Sequence, residues 1–547
     1  MKSSMGSTAL HLACIVLLSY LFLFHALGAY SLKEPDEGRY AEIPREMVES
    51  GDYVVPYLNY CRYFEKPPLL YWTSALSYKV FGVSEWSFRL PNALFAFLTV
   101  LALYLFGRRW FGARPAFLSS AILVSSLGFF SMGRIVTTDM LLTLLASLAL
   151  LSFYGFYREK RKTFLALFYL SLSLATLTKG PVAVLLVVLT LVLFLAAERR
   201  LSFLREMRPA RGVALFLLLT APWFILISFR EKGFFYFFFV DQHILRFLTS
   251  KHRRTGPLYY FLPVLFGGLF PWSVLLPRAL LAVWRRREFR LFLLWSAVVF
   301  VFFSLSRSKL PPYILPVFPF VSLALGCLVH EAWRGKAAPR KEKGIFICIF
   351  SLCFCVGTLY VLGPFAGYPA LLFPEAALSP SGLKVFALLV AGAGLLLVLF
   401  LLLRRGTFSS LFLALLFFEA VLMVGLLCSM GVIDDLNTTK RLALLIDHDA
   451  AKGDLVADYG SFEETLPFYT LRRVYLASYR GELEMGSEYG DARPFFPDDA
   501  AFIRLFRSEK RLFCVVKTGK LGHLRGLGIG GQELARQAGR SLISNHP

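Results

Sequence analysis

The 547-residue sequence predicts a polytopic α-helical membrane protein with a small α/β domain after its last span. Three observations predict it. Hydrophobic residues make up 57% of the chain and charged residues only 17%, where soluble domains carry about 25% charged residues. Apolar runs of roughly 20 residues, long enough to cross a bilayer as a helix, recur along most of the chain. Past residue 431 the pattern changes to short alternating stretches with polar flanks.

Thirteen spans are predicted, near 8–30, 88–107, 115–133, 139–157, 163–178, 181–197, 212–229, 257–278, 291–306, 311–331, 344–364, 383–403 and 408–430. The first is read as a retained helix, because its apolar part exceeds a signal-peptide core and no clear cleavage site follows. Short basic gaps follow alternate spans: "GRRWFGAR" (107–114), "REKRK" (158–162), "ERRLSFLREMRPAR" (198–211), "RRREFR" (285–290), "RGKAAPRKEKG" (334–344) and "RRG" (404–406). Basic loops stay in the cytoplasm. The N-terminus is then cytoplasmic, and an odd number of spans puts the tail outside. Residues 31–87, 230–256 and 307–310 are external by the same logic.

The net charge of +23 is accounted for by these gaps, so no nucleic-acid partner is inferred. The eight cysteines mostly sit in apolar runs and show no metal-type spacing, so they read as packing residues. In the tail, "KGDLVADYGSF", "RRVYLASY" and "RLFCVVKTG" read as strands. "FPDDAAFIRLFRSEK" and "GGQELARQAG" read as helices. The chain divides into a membrane domain, 1–431, and an external α/β domain, 432–547, which lacks a nucleotide-binding glycine fingerprint.

Charge at membrane depth is costly and marks candidate functional positions. "EPDEGRYAEIPREM" (34–47) places Asp36, Glu37 and Arg39 directly after the first span. "YFEKPPLLYW" (63–72) adds Glu65 and Lys66 ahead of a stretch suited to the interface. A carboxylate beside a lysine suits a phosphate or a metal. Helix capping and ion pairing with Arg39 or Arg45 account for the same acids equally well. Three further external spots carry charge: Arg134 and Asp139 in "GRIVTTDM", His243 and Arg246 in "DQHILRFLTSKHRRTGP", and Lys309 and Tyr313 in "SRSKLPPYILP". Basic groups here suit a lipid phosphate. Contact with anionic headgroups is the plainer account of the 241–257 loop, and snorkelling that of Lys179.

"DEGRYAEIPREMVESGDYVVPYLNYCRYFEKPPLLYW" resembles the first external loop of bacterial lipid A aminoarabinose transferases, GT-C glycosyltransferases related to protein O-mannosyltransferases. The resemblance continues in order through "SEWSFRLPNAL", "TTDMLL", "LTKGPVA", "HILRFL", "GPLYYFLPVLFGGLFPWS", "SKLPPYILPVFP", "FEETLPFYTLRRVYLA" and "GELEMG". It implies a GT-C fold in the bacterial inner membrane. It also implies transfer of 4-amino-4-deoxy-L-arabinose from undecaprenyl phosphate to lipid A on the periplasmic face, with no nucleotide cofactor. Such modification lowers outer-membrane negative charge and gives resistance to cationic peptides. By the same resemblance Asp36, with Glu37 and Asp139, is catalytic. Lys66, Arg246, Tyr313 and Arg39 contact the donor phosphate, and Glu65 and His243 are candidate ligands of a divalent metal.

A phosphate leaving group needs charge stabilisation more than protonation, which Lys66, Arg246 and Tyr313 supply. A phosphate acceptor needs no strong base, whereas a hydroxyl acceptor does, and Asp36 fits that task. A protein O-glycosyltransferase and a non-enzymatic lipid transporter therefore stay open as alternatives.

Overall fold

The computed structural model describes residues 2–245, 256–335, 344–352, 354–355, 380–403, 408–434 and 436–546. Contacts divide the chain into two compact units, Met1–Leu27 with Leu90–Ser429, and Gly28–Arg89 with Met430–Pro547. This division differs from the expected single boundary near residue 431, because the first external segment clusters with the tail. Hydrogen bonds explain why. The Asp434 carboxylate accepts from the Ser31 N–H at 2.7 Å, and the Tyr469 hydroxyl accepts from the Leu32 N–H at 2.8 Å. Asn59 exchanges two 2.8 Å bonds with the backbone of Val474.

Among the described residues, seven helices are long and apolar enough to cross a membrane, or nine if each of two bent pairs is one span. All nine coincide with expected spans. The bends have local causes. Ala113–Ser125 and Leu127–Arg134 meet at 62°, where the Ser125 and Ser126 hydroxyls turn back to the carbonyls of Ala121 and Ile122 at 2.7 and 2.6 Å. Leu258–Gly268 and Trp272–Val283 meet at 112° across a break containing Pro271. The two breaks touch. A Cβ on Gly128 would lie 2.8 Å from the Gly268 Cα, and the Leu127 N–H reaches the Phe270 carbonyl at 3.4 Å. Such pairing is what lets broken backbone persist at membrane depth.

The other four expected spans are not counted among the nine. Val182–Ala197 has only 16 residues, about 24 Å at 1.5 Å per residue. Lys162–Lys179 carries a lysine at each end. The helix Pro380–Leu403 contains a shorter apolar segment, Ala387–Leu401. In 344–364, residue 353 and residues 356–364 lie outside the described residues.

In the second unit, β1 (Tyr57–Leu58) and β2 (Cys61–Arg62) form a small hairpin. The tail folds around β3 (Leu455–Tyr459), β4 (Val474–Ala477), β5 (Leu512–Lys517), β6 (Gln532–Gln537) and β7 (Arg540–Ser544). The sheet order is β4-β3-β5-β7-β6, parallel across β4, β3 and β5 and antiparallel at β7 and β6. Phe502 and Phe506 of helix Asp499–Phe506 pack on this sheet with Tyr459 and Val516. The first three strands and this helix fall where the pattern predicted.

"GGQELARQAG" does not form the predicted helix. Its Glu, Leu, Ala, Arg and Gln are good helix formers, yet Gln532–Gln537 is strand β6. Ala538 and Gly539 take φ of 44° and 76°, the two positive values of a tight hairpin turn. The turn returns the chain as β7, whose Leu542 and Ile543 are buried, so pairing and burial override local propensity.

Candidate active site

Helix Asp36–Ser50 carries two acids in its first turn, where the helix dipole favours them. It ends at Gly51 with φ 74°, a left-handed cap. Residues Glu37 to Met47 are buried without interruption, which is unusual for so charged a helix. Gly38 is required by close approach, since a Cβ there would meet the Thr465 nitrogen at 2.6 Å.

The three predicted residues of this turn have different surroundings. Asp36 keeps 48% of its side chain exposed, its nearest ion-pair contact being Arg39 at 3.8 Å. Glu37 is fully buried in a bidentate pair with Arg89, at 2.9 and 2.7 Å. Arg89 also donates to the carbonyls of Tyr30 and Ser31 at 2.7 and 2.8 Å. Glu37, expected to be catalytic beside Asp36, thus has the geometry of an anchor that fixes the chain leaving the first span. Arg39 is buried, with Nη2 3.0 Å from Glu482 and 3.8 Å from Glu464, and Nη1 donating to the Tyr63 hydroxyl at 3.4 Å. Its surroundings are acidic, and the partners from the tail had no signal in the sequence beyond the motifs "FEETLPF" and "GELEMG".

Burial, with Glu34 alongside, holds the Glu464 carboxyl well above the usual carboxylate range. Glu34 is raised in the same way by burial. Its carboxylate accepts the N–H groups of Glu464 and Thr465, each at 2.8 Å, and caps the helix Thr465–Thr470 from a distant part of the chain.

Glu65 and Lys66 follow β2. The Lys66 ammonium lies 3.6 Å from the Glu65 carboxylate and donates to the Glu65 carbonyl at 3.1 Å. Both side chains are nearly buried. Among the described residues no three His, Cys, Asp or Glu side chains gather as a metal site. The side chain of His243 and the whole of Arg246 lie outside what the structure describes.

The second predicted acid lies in the other unit, in an arrangement of its own. Asp139 opens helix Thr138–Glu159, with Thr137 as N-cap. Its carboxylate is 2.5 Å from the Lys179 ammonium, which also stands 4.6 Å over the Tyr313 ring. Both members of the pair are nearly buried. Lys179, for which snorkelling was the plainer reading, is therefore part of the Asp139 site. Arg134 and Lys309 are occupied by backbone instead. Arg134 donates to the carbonyls of His25 and Ala26 at 2.8 and 3.1 Å, and Lys309 to that of Ser306 at 2.6 Å. One turn before Lys179, Thr176 begins an apolar groove of about 1100 Å³, lined by Val184, Val188, Leu217, Phe224 and Phe235.

The chain has relatives that match its full extent. Residues 65–226 match the dolichyl-phosphate-mannose-protein mannosyltransferase family, and residues 442–545 the aminoarabinose transferase C-terminal domain. The undecaprenyl phosphate-α-4-amino-4-deoxy-L-arabinose arabinosyl transferase of Aeromonas hydrophila is 32% identical over 92% of this chain and 94% of its own. The transferase of the same name from Pectobacterium carotovorum is 29% identical over 91% and 90%. The crystal structure of ArnT from Cupriavidus metallidurans bound to undecaprenyl phosphate superimposes with a TM-score of 0.84 at 28% identity, covering 99% of this chain and 98% of that one. An Archaeoglobus fulgidus oligosaccharyltransferase, at 14% identity and a TM-score of 0.51, shares the fold alone. The chain belongs to the undecaprenyl phosphate-α-4-amino-4-deoxy-L-arabinose arabinosyl transferase family, polytopic membrane glycosyltransferases of the GT-C fold.

Proposed function

We propose that this protein transfers 4-amino-4-deoxy-L-arabinose from undecaprenyl phosphate to a phosphate of lipid A. The observation that carries this reading is the end-to-end match to transferases of that name, together with the ArnT structure that holds undecaprenyl phosphate. In the reaction, the bond between the sugar's anomeric carbon and the carrier phosphate breaks. A bond from that carbon to a lipid A phosphate oxygen forms, and undecaprenyl phosphate leaves with the electron pair.

The arrangement of side chains supports roles within each unit. Asp36 is the half-exposed carboxylate, open to substrate in a way Glu37 is not. Lys66 offers charge to the departing phosphate, as such a leaving group requires. Asp139, Lys179 and Tyr313 form a charged cluster beside an apolar groove, and a phosphate on a polyprenyl chain has that same division. The proposal includes an inner-membrane location, thirteen spans, a cytoplasmic N-terminus and a periplasmic tail.

Mass spectrometry of lipid A from cells with and without the gene tests the reaction. One or two added pentosamines support it. Unmodified lipid A with lost protein glycosylation moves the assignment to a protein acceptor and makes Asp36 a general base.

A further inference from the structure

We infer that Glu482, in the tail, is a positioning residue for the transfer: it holds Arg39 away from Asp36 and so keeps the Asp36 carboxylate open to substrate. The inference rests on the proposed role of Asp36. Arg39 lies one turn after Asp36, close enough for a full ion pair across the i,i+3 spacing. That pair is stretched to 3.8 Å, while the same guanidinium lies 3.0 Å from Glu482. Tyr63 stands between them, accepting from Arg39 and donating to Glu482, both at 3.4 Å.

The turn that carries Glu482 is built against the loop it acts on. Gly481 has φ 49°, and a side chain there would collide with Tyr479. A Cβ on Gly486 would meet the Arg62 carbonyl at 2.4 Å, so the turn seats directly on β2. Arg62 stacks on Tyr489 at 4.2 Å and pairs with Asp491 at 3.0 Å. The segment 481–491 is thereby registered on the strand that leads to Tyr63, Glu65 and Lys66. Glu464 lies farther from Arg39, at 3.8 Å, and burial favours its neutral form. Glu482 is the closer carboxylate and the more exposed one, with 30% of its side chain open.

A double-mutant cycle on the full-length enzyme, assayed with a purified undecaprenyl-phosphate sugar donor, tests this. Glu482→Gln is expected to lower kcat/KM about tenfold with an unchanged melting temperature, and Glu482→Asp to restore most of the loss. With Arg39→Gln already present, Glu482→Gln should cost less than about twofold, because the cation it restrains is gone. An equal penalty in both backgrounds, or full activity of Glu482→Gln, overturns the inference. Asp36→Asn is the separate control. If it stays active, the assigned role of Asp36 fails first, whatever the cycle shows.

Discussion

At the scale of single residues, adjacent charges in the sequence do unlike work. Asp36 and Glu37 are neighbours, yet one is half exposed and the other has no exposure. Asp36→Asn is expected to lower transfer by about 100-fold or more while melting like the wild type, as loss of a positioned catalytic carboxylate does. Lys66→Ala should weaken apparent donor affinity more than Tyr313→Phe. A hydrogen bond from a charged donor contributes about 1.5–3 kcal/mol, against about 0.5–1.5 kcal/mol for a neutral one. Donor titrations of the two variants compare them directly, and equal, unchanged affinities would remove both from the phosphate site. The Glu464 carboxyl makes a prediction about pH. Its folded-state value is raised above 4.5, chiefly by burial, so the folded protein binds that proton more tightly than the unfolded chain. The associated stability is full below 4.5 and is lost as pH rises through the raised value. Thermal unfolding of Glu464→Gln should therefore gain on the wild type across the range from pH 4.5 upward. A constant difference across that range would show that Glu464 does not titrate there.

At the scale of elements, the helix Asp36–Ser50 is held by partners from distant sequence. Glu37→Gln leaves Arg89 buried without its carboxylate, and breaking such a pair costs about 3–5 kcal/mol. The variant should melt well below Asp36→Asn in detergent, and equal melting of the two would dismiss the anchor role. This contrast marks what the sequence could and could not reveal. Apolar run length made most spans legible, because a bilayer demands it, while charge beside those runs only singled out Asp36 and Lys66 as candidates, and the family resemblance supplied the roles proposed for them. The bidentate Glu37–Arg89 pair was not legible, because its members are 52 positions apart and a charge pattern carries no depth. Lys179 read as a snorkelling end because its partner Asp139 lies on another helix. β6 read as a helix because the Ala538–Gly539 turn that pairs it with β7 is carried by φ, not by hydrophobic period.

At the scale of the whole molecule, the proposed reaction demands a particular orientation. Its donor sugar is carried on a lipid and its acceptor is a glycolipid, so Asp36 and Lys66 must face the side on which those two lipids meet. The distribution of Lys and Arg supplies an independent argument for which side that is. The gaps at 107–114, 158–162, 198–211 and 285–290 are short and basic, and such loops resist translocation. The first external segment mixes acids with bases, so it does not carry the same signal. Reporter fusions at residues 110, 160, 205 and 287 are therefore expected to report cytoplasm. Fusions at residues 52 and 452 are expected to report periplasm, which requires an odd number of crossings between the N-terminus and the tail. A periplasmic residue 52 with a cytoplasmic residue 452 would mean an even number, and one of the four uncounted spans would then fail to cross. A cytoplasmic residue 52 would put Asp36 and Lys66 on the face away from the periplasmic acceptor, and the proposed transfer could not proceed from them.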